Sequence, residues 1–184
     1  MMSERNQDPD VLAAHLAAAH RALSANLTEL AVPDRAMLFH VSNTDGRLQQ
    51  LLAPLARWGV PDIEDFGFTP ASHGTLVKEA SSSGDSFLRI GTYWRWGIAV
   101  TDQGEVRGLQ LEEWPEVFVN SSVEAFVETC WRWYYTWLEA EQMGWYIDCF
   151  DVVDNFLECA IAKDPRVGLE ERSLWKMVVE SWSG

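Results

Sequence analysis

The sequence predicts an α+β fold: a mainly antiparallel sheet of about five strands, with N- and C-terminal helices packed on it. The first observation is the spacing of apolar residues, which is helical before residue 62, alternating from 62 to 120, and helical again afterwards. The second is composition, because 47% hydrophobic and 23% charged residues are typical of a folded chain. Helices, then strands, then helices is an order typical of α+β proteins. A length of 184 residues predicts one domain over residues 1–184.

Two helices are predicted before the sheet. Leucines spaced by four, seven, four and three residues place the first helix at about residues 9–31, as one uninterrupted apolar stripe that begins at Asp8-Pro9 and ends near Pro33. These leucines are Leu12, Leu16, Leu23, Leu27 and Leu30. The second helix runs from Leu48 to Trp58, and Pro54 inside it predicts a kink.

Five short apolar runs separated by turn residues predict the strands. The runs are Thr75–Glu79, Phe87–Ile90, Trp96–Val100, Val106–Leu111 and Val117–Val119. Residues 91–95 are predicted to form a turn, and residues 102–105 are predicted to close a hairpin between the third and fourth runs. Trp94 and Trp96 lie two residues apart, which would place them on one face of a strand.

Three helical segments are predicted after the sheet. Ser121 and Glu124 have the spacing of a capping box, which predicts that the Ser121 hydroxyl begins an aromatic-rich helix. The next segment has apolar residues on one side and acidic residues on the other, and Asp164-Pro165 ends it. The last helix carries Leu174 and Trp182.

The chain is strongly acidic, and its acidity is local. It has 28 acidic and 14 basic residues, a net charge of -14, and residues 111–160 hold eleven acidic residues against one base, Arg132, a net of -10. This charge argues against nucleic acid or an anionic membrane as a partner, because both attract cations. The N-terminus has no secretory signal and no apolar run is long enough to cross a membrane, which predicts a cytoplasmic protein.

The acidic segment has two interpretations, which the sequence leaves open. One is a solvated helix face that keeps a chain with ten Trp in solution. The other is a recognition surface that binds a basic protein, with some of the Trp as anchors. The candidate partner-binding residues are Glu112, Glu113, Glu116, Asp148, Asp151, Asp154 and Glu158.

No pattern of catalytic or metal-binding residues occurs. The four His are spread over separate elements, the three Cys lack the C-x-x-C spacing, and no phosphate loop or nucleophile elbow is present. Carboxylates along one helix diverge, so those of residues 148–158 predict no metal site. We therefore expect no enzyme activity and no cofactor. A small hydrolase with a site built from Cys and His by folding is the contrary hypothesis, and single substitutions of Cys130, Cys149, Cys159 and the His test it.

Several segments resemble the fourth group of the SUKH superfamily. The helix that ends at Trp58-Gly59-Val60-Pro61 resembles the first of the family's segments, and Phe87–Gly91 and Gly97–Val106 resemble its next strand and hairpin. Val117–Phe126 resembles its most specific signature, an Asn-Ser-Ser motif followed by Phe. Asp164-Pro165 followed by Trp175 is similar to its closing segment. The similarity covers about residues 48–182, so the helix at about 9–31 is expected to be an addition to the domain.

The resemblance implies a SUKH-like fold and a bacterial immunity protein, which binds and neutralises a polymorphic toxin, often a nuclease or a nucleic-acid deaminase. An acidic surface fits such a partner, because enzymes that act on nucleic acid have positive grooves. The Asn-Ser-Ser motif is interpreted as a strand-to-helix junction and not as a site. The alternative function is a cytosolic interaction or scaffold protein of the same fold whose partner is not a toxin.

Overall fold

The computed structural model describes residues 9–41, 46–62, 68–71, 76–80, 85–110, 115–143 and 148–183. The helices of these residues are α1 Pro9–Ser24, α2 Leu27–Leu30, α3 Gly46–Arg57, α4 Val123–Gln142, α5 Asp148–Lys163, α6 Arg166–Leu169 and α7 Leu174–Ser183. The strands are β1 Ala36–Met37, β2 Val60–Pro61, β3 Phe68–Pro70, β4 Val77–Ala80, β5 Ser86–Tyr93, β6 Trp96–Thr101, β7 Val106–Gln110 and β8 Val117–Asn120.

The main sheet has six strands, all paired antiparallel, in the order β3-β5-β6-β7-β8, with β4 also paired to β5. A second small sheet joins β1 and β2. The predicted α+β class is confirmed. The main sheet has one strand more than predicted, because Phe68–Pro70 pairs with the far end of β5. A three-residue strand that contains Pro has too little alternation to be recognised in the sequence.

The hairpin between β5 and β6 differs from the prediction. Residues 91–93 belong to β5 and only Trp94 and Arg95 form the turn. Trp94 therefore does not share a strand face with Trp96: Trp94 is 69% exposed, whereas Trp96 is buried. The predicted hairpin between β6 and β7 is confirmed, and Gly104 has the positive φ, +84°, that its turn requires.

The first helix is interrupted, although its leucine spacing predicts an uninterrupted one. α1 ends at Ser24 and α2 begins after Asn26, whose side chain accepts a hydrogen bond from the Glu29 backbone N–H. The Glu29 carboxylate accepts from the Asn26 N–H in return, so a capping box starts a new helix here. Asn has a stronger preference for this capping position than for a helix interior.

The main core lies between the sheet and α4. Phe68 of β3 meets Phe126 of α4 edge-on, with ring centroids 5.8 Å apart, and α4 also contacts α1, α3 and α5. Its aromatic residues serve this packing: Trp131 and Trp133 are fully buried, and the Trp131 indole donates to the Gly59 carbonyl at 3.2 Å. Gly59 has φ +60°, and a Cβ there would lie 2.2 Å from the Met37 carbonyl oxygen, so this turn requires glycine.

Candidate functional site

The Asn-Ser-Ser motif forms a polar junction with Asp164, in which Asn120 and Asp164 are buried. One carboxylate oxygen of Asp164 accepts from the Ser121 backbone N–H at 2.6 Å and from the Asn120 amide at 3.3 Å. Its other oxygen accepts from the Ser121 hydroxyl at 2.6 Å. The Asn120 amide oxygen in turn accepts from the Trp175 indole at 2.9 Å. The junction therefore ties the end of β8 to the end of α5 and to α7.

This junction corrects the predicted helix cap. Ser122, not Ser121, caps α4, by accepting from the Ala125 backbone N–H at 3.1 Å. The Ser121 hydroxyl is engaged by Asp164 instead. Asn120 and Asp164 are at most 3% exposed, so they support the fold and offer no accessible surface to a partner.

The exposed acidic feature is the α5 acidic stripe, which we define as Asp151, Asp154 and Glu158. All three side chains are exposed, and their spacing of three and four residues places them on one face of the helix. The opposite face of α5 is in the core, where Val153 and Phe156 are buried. The predicted division of this helix into an apolar and an acidic side is confirmed for its described side chains.

The α5 acidic stripe is not neutralised by neighbouring cations. Within the described part of the chain, none of its three carboxylates forms an ion pair or a hydrogen bond. The nearby base of the acidic segment is withdrawn from the surface: Arg132 is 2% exposed and lies 2.7 Å from Glu128. Its guanidinium also donates to the carbonyls of Leu23 and Ala25, at 3.1 and 2.7 Å. Among the described residues, the three carboxylates of the stripe therefore present unpaired negative charge at the surface.

Glu116 lies in a different environment from the stripe. Its carboxylate is 3.4 Å from Arg107, which also binds Glu105 at 3.0 Å. Glu105 is in turn 2.5 Å from Arg166, whose guanidinium also bonds Glu170 at 2.6 Å and lies over the Phe118 ring. We call these five charged residues the ion chain. It alternates in sign along its length, with three carboxylates and two guanidinium groups, so Glu116 has a cationic partner that it shares with Glu105.

The ion chain shifts the acidity of its central carboxylate. Burial on its own would raise the pKa of Glu105, but the hydrogen bonds and charges of Arg107 and Arg166 outweigh burial and lower that pKa. The pKa of Arg107 is raised, first by its hydrogen bond to Glu105 and despite partial burial. Both shifts favour the charged forms, so Glu105 and Arg107 stay ionised at neutral pH.

The remaining predicted residues lie outside the described structure. Glu112 and Glu113 fall between residues 110 and 115, and Asp148 begins α5 but its side chain is not described. Of the seven predicted residues, the structure thus brings three together on α5. It places Glu116 in the ion chain, for which no contact with the α5 acidic stripe is found among the described residues.

Among the described residues, the Trp of α4 lie in the core, and none of them lies on the acidic helix surface where one interpretation of the sequence placed some of the Trp as anchors. Trp131, Trp133 and Trp137 of α4 are all buried, and Trp145 lies outside the described residues. The large exposed aromatic side chain of the described surface is Trp94, in the β5–β6 turn. The exposure of Trp94 was not predicted from the sequence. The predicted turn covered five residues, 91–95, whereas the observed turn has two and places Trp94 at its tip.

The Cys and His residues show no catalytic arrangement in the described part of the chain. Burial raises the pKa of the Cys130 thiol far above its ordinary value, which makes the thiolate inaccessible. Cys159 donates to the Leu23 carbonyl, and His15 forms a hydrogen bond with Glu139 at 2.7 Å. The partner found for Cys159 is therefore not a His, and the partner found for His15 is not a Cys. Among these residues no three potential ligands converge on a point where a metal ion could bind.

The fold and this surface define the class of protein: an α+β domain with a central helix, a polar Asn-Ser-Ser junction and an exposed carboxylate stripe. Residues 7–181 match the family model described as SUKH-4 immunity protein, and the chain belongs to that family. The match includes α1, which lies outside the segments that carried the resemblance in the sequence. No curated protein and no solved structure matches the chain. None of the described helices has the length and apolarity needed to cross a membrane.

Family membership implies the neutralisation of a toxin and hence a cognate toxin partner.

Proposed function

We propose that this chain neutralises a bacterial polymorphic toxin of the nuclease or nucleic-acid deaminase class, without enzyme activity of its own, by binding it through an acidic surface centred on the α5 acidic stripe. The observation that carries the proposal is that three exposed carboxylates share one helix face and form no ion pair with any of the described residues. Asp148, Glu112 and Glu113 are proposed to extend this surface. Residues 1–184 are proposed to act as one domain.

Electrostatics supports this choice of toxin class. A nuclease or deaminase holds its phosphate backbone with Lys and Arg, so its substrate groove is positive. A row of carboxylates one helical turn apart repeats negative charge at short intervals, as a nucleic-acid backbone does. Binding there would occupy the groove and exclude the substrate. Charge complementarity would also speed association, which matters for a protein that must capture a toxin before it acts.

Stability considerations support the same surface. Like charges three and four residues apart on a helix destabilise it by about 0.2 to 0.5 kcal/mol per pair. Asp154 takes part in two such pairs, with Asp151 and with Glu158, and the described structure supplies no cation that relieves them. A basic partner relieves this repulsion on binding.

The test is charge reversal of the whole stripe. In the variant Asp151→Lys, Asp154→Lys, Glu158→Lys, we expect the dissociation constant for the toxin domain encoded beside this gene to rise about 100-fold, because like charges then face each other. We also expect a weaker dependence of affinity on salt. Isothermal titration calorimetry at two salt concentrations measures both, and a nuclease or deaminase assay measures loss of protection.

The matched control carries the same change in net charge elsewhere. It reverses three exposed acidic residues outside α5, namely Asp34, Asp62 and Glu171. We expect this variant to bind within about threefold of the wild type, because distant charges are screened. Equal losses in both variants would show that net charge and not the stripe matters. A wild-type chain that binds no neighbouring toxin but captures another protein would favour the scaffold function instead.

A further inference from the structure

A second candidate surface is apolar and not acidic: an exposed aromatic ring lies beside an apolar groove. The groove has a volume of about 350 Å³ and runs between the β5–β6 turn and α7. Tyr93 and Trp96 line its sheet side, and Leu174 and Val178 line its helix side. Its lining also includes Glu180, an exposed carboxylate.

Trp94 lines this groove and stacks on its neighbour Tyr93. The ring centroids are 5.9 Å apart and the planes are inclined by 22°, which is an offset stack on one side of the indole. The residue is nevertheless 69% exposed, which leaves a free face beside the groove. Its φ of +49° is the left-handed conformation, which costs energy for any residue except glycine. The turn thus holds a large apolar side chain in solvent at a conformational cost.

The chemistry of the groove favours a cationic side chain with an aliphatic stem. The free face of an indole ring attracts Lys or Arg through the negative charge of its π-system, and Arg also stacks on it. Glu180 offers a carboxylate for the charged end, while the apolar walls accept the methylene stem. The net charge of -14 repels a second copy of this chain, so the occupant that fits is a basic protein.

We propose that this groove is a socket for a Lys or Arg side chain of the toxin, with Trp94 stacked on that side chain and Glu180 paired with its charge. The inference rests on the proposed function, because it assigns the same basic toxin a second point of contact. Exposed Trp residues dominate the energetics of protein interfaces, since one ring removes a large apolar area from water. Trp94 is then an anchor and the α5 acidic stripe is the surface that steers the toxin.

The first experiment uses the variant Trp94→Gly, which removes the ring and relieves the left-handed strain, so that the fold is preserved. We expect its dissociation constant for the neighbouring toxin domain to rise at least 30-fold, mainly through faster dissociation, as measured by surface plasmon resonance. The variant Glu180→Gln is expected to lose about fivefold. The matched control is Leu169→Ala, which removes another side chain that is 81% exposed and is expected to bind normally.

The outcomes separate the two proposals. Normal binding by Trp94→Gly, with weak binding by the charge-reversed stripe, overturns the socket and leaves the proposed function standing. Weak binding by Trp94→Gly alone supports the socket and removes the stripe from the interface. A wild-type dimer in sedimentation analysis that dissociates in Trp94→Gly overturns the basic occupant and identifies a second copy in the groove.

A second experiment tests the socket without any toxin. The probe is the capped tripeptide acetyl-Gly-Arg-Gly-amide, titrated into the full chain to millimolar concentration. We expect the Trp94 indole N–H signal, assigned by its loss in Trp94→Gly, to shift progressively in nitrogen-15 NMR spectra. The matched tripeptide with norleucine in place of Arg is expected to shift it much less, because it lacks the charge. An unmoved signal, or equal shifts with both peptides, overturns the socket even if the chain binds no neighbouring toxin.

Discussion

Asp164 lies at the C-terminal end of α5, and the α5 acidic stripe lies along the exposed face of the same helix. Both consist of carboxylates, but the one is buried and hydrogen-bonded and the others are exposed and unpaired among the described residues. Asp164 is 3% exposed and accepts three hydrogen bonds from residues 120 and 121. Asp151, Asp154 and Glu158 are exposed and bind nothing within the described residues. A buried carboxylate that accepts three hydrogen bonds contributes to folding, whereas an exposed and unpaired one is available to a partner.

The ion chain is intermediate between these two. Its carboxylates are paired with Arg107 and Arg166, but they remain partly accessible to water. Burial and pairing therefore separate the acidic residues that stabilise the fold from those available to a partner, and position in the sequence does so less clearly. Three predictions test that separation.

The largest effect is expected for Asp164→Ala. The substitution leaves the buried Asn120 amide and the partly buried Ser121 backbone N–H without their acceptor, and we expect it to cost about 2 to 4 kcal/mol of unfolding free energy. Urea denaturation followed by circular dichroism measures the loss. The control is Asp154→Ala, an exposed carboxylate on the same helix, expected within about 0.5 kcal/mol of the wild type. Similar losses in the two variants would remove the distinction between the buried and the exposed carboxylates.

An intermediate effect is expected for Glu105→Gln, and it depends on pH. The folded state holds the pKa of Glu105 below its ordinary value of 4.5, so Glu105 contributes stability above about pH 4.5 that is lost as the pH falls through its folded-state pKa. We expect the variant to be about 1 kcal/mol less stable at pH 7, and the difference to shrink as the pH falls below 4.5 through the folded-state pKa of Glu105.

Thermal unfolding at several pH values measures this difference. Glu116→Gln is the control, because Glu116 is more exposed than Glu105 and forms its one ion pair within the described part of the chain with Arg107. We expect it to change stability by less than about 0.5 kcal/mol at any pH. A pH-independent loss for Glu105→Gln would mean that packing and not charge explains its contribution.

The smallest effect is expected for Asp154→Asn, and it has the opposite sign. Removing the central charge of the α5 acidic stripe relieves its repulsion with Asp151 and Glu158, so we expect stabilisation of about 0.5 kcal/mol at low salt. Differential scanning calorimetry should show a rise in the melting temperature of about 1 to 2 °C. At 1 M salt the gain should disappear, because screening acts over about 3 Å. A destabilised variant would show that Asp154 has a structural partner.

The predictable part of the fold is its class and most of its elements. The alternation of apolar residues identified β6, β7 and their hairpin, and Asp164-Pro165 correctly ended α5. The division of α5 into two faces was also predictable, because a helix repeats every 3.6 residues whatever it packs against. The break at Asn26 and the strand Phe68–Pro70 were missed, because a capping preference and a single strand pairing are weak local signals.

The candidate site was only partly predictable for a related reason. The sequence identified an acidic segment, and the α5 acidic stripe is its exposed centre. It had no means to show that Glu116 is paired with Arg107 or that Arg132 is buried. The only signal in the sequence for an exposed Trp94 was its place between two predicted strands. Using that signal would have required the correct length of the turn.

By itself, then, the sequence determined the α+β class, the resemblance to SUKH immunity proteins and the two-sided nature of α5, because each depends on residues close together in the chain. The tertiary structure alone decided which acidic residues are neutralised and which are free. Asp164 meets Ser121 across 43 residues and Arg166 meets Glu105 across 61. Pairings over such distances depend on how helices and strands pack, and local periodicity carries no information about them.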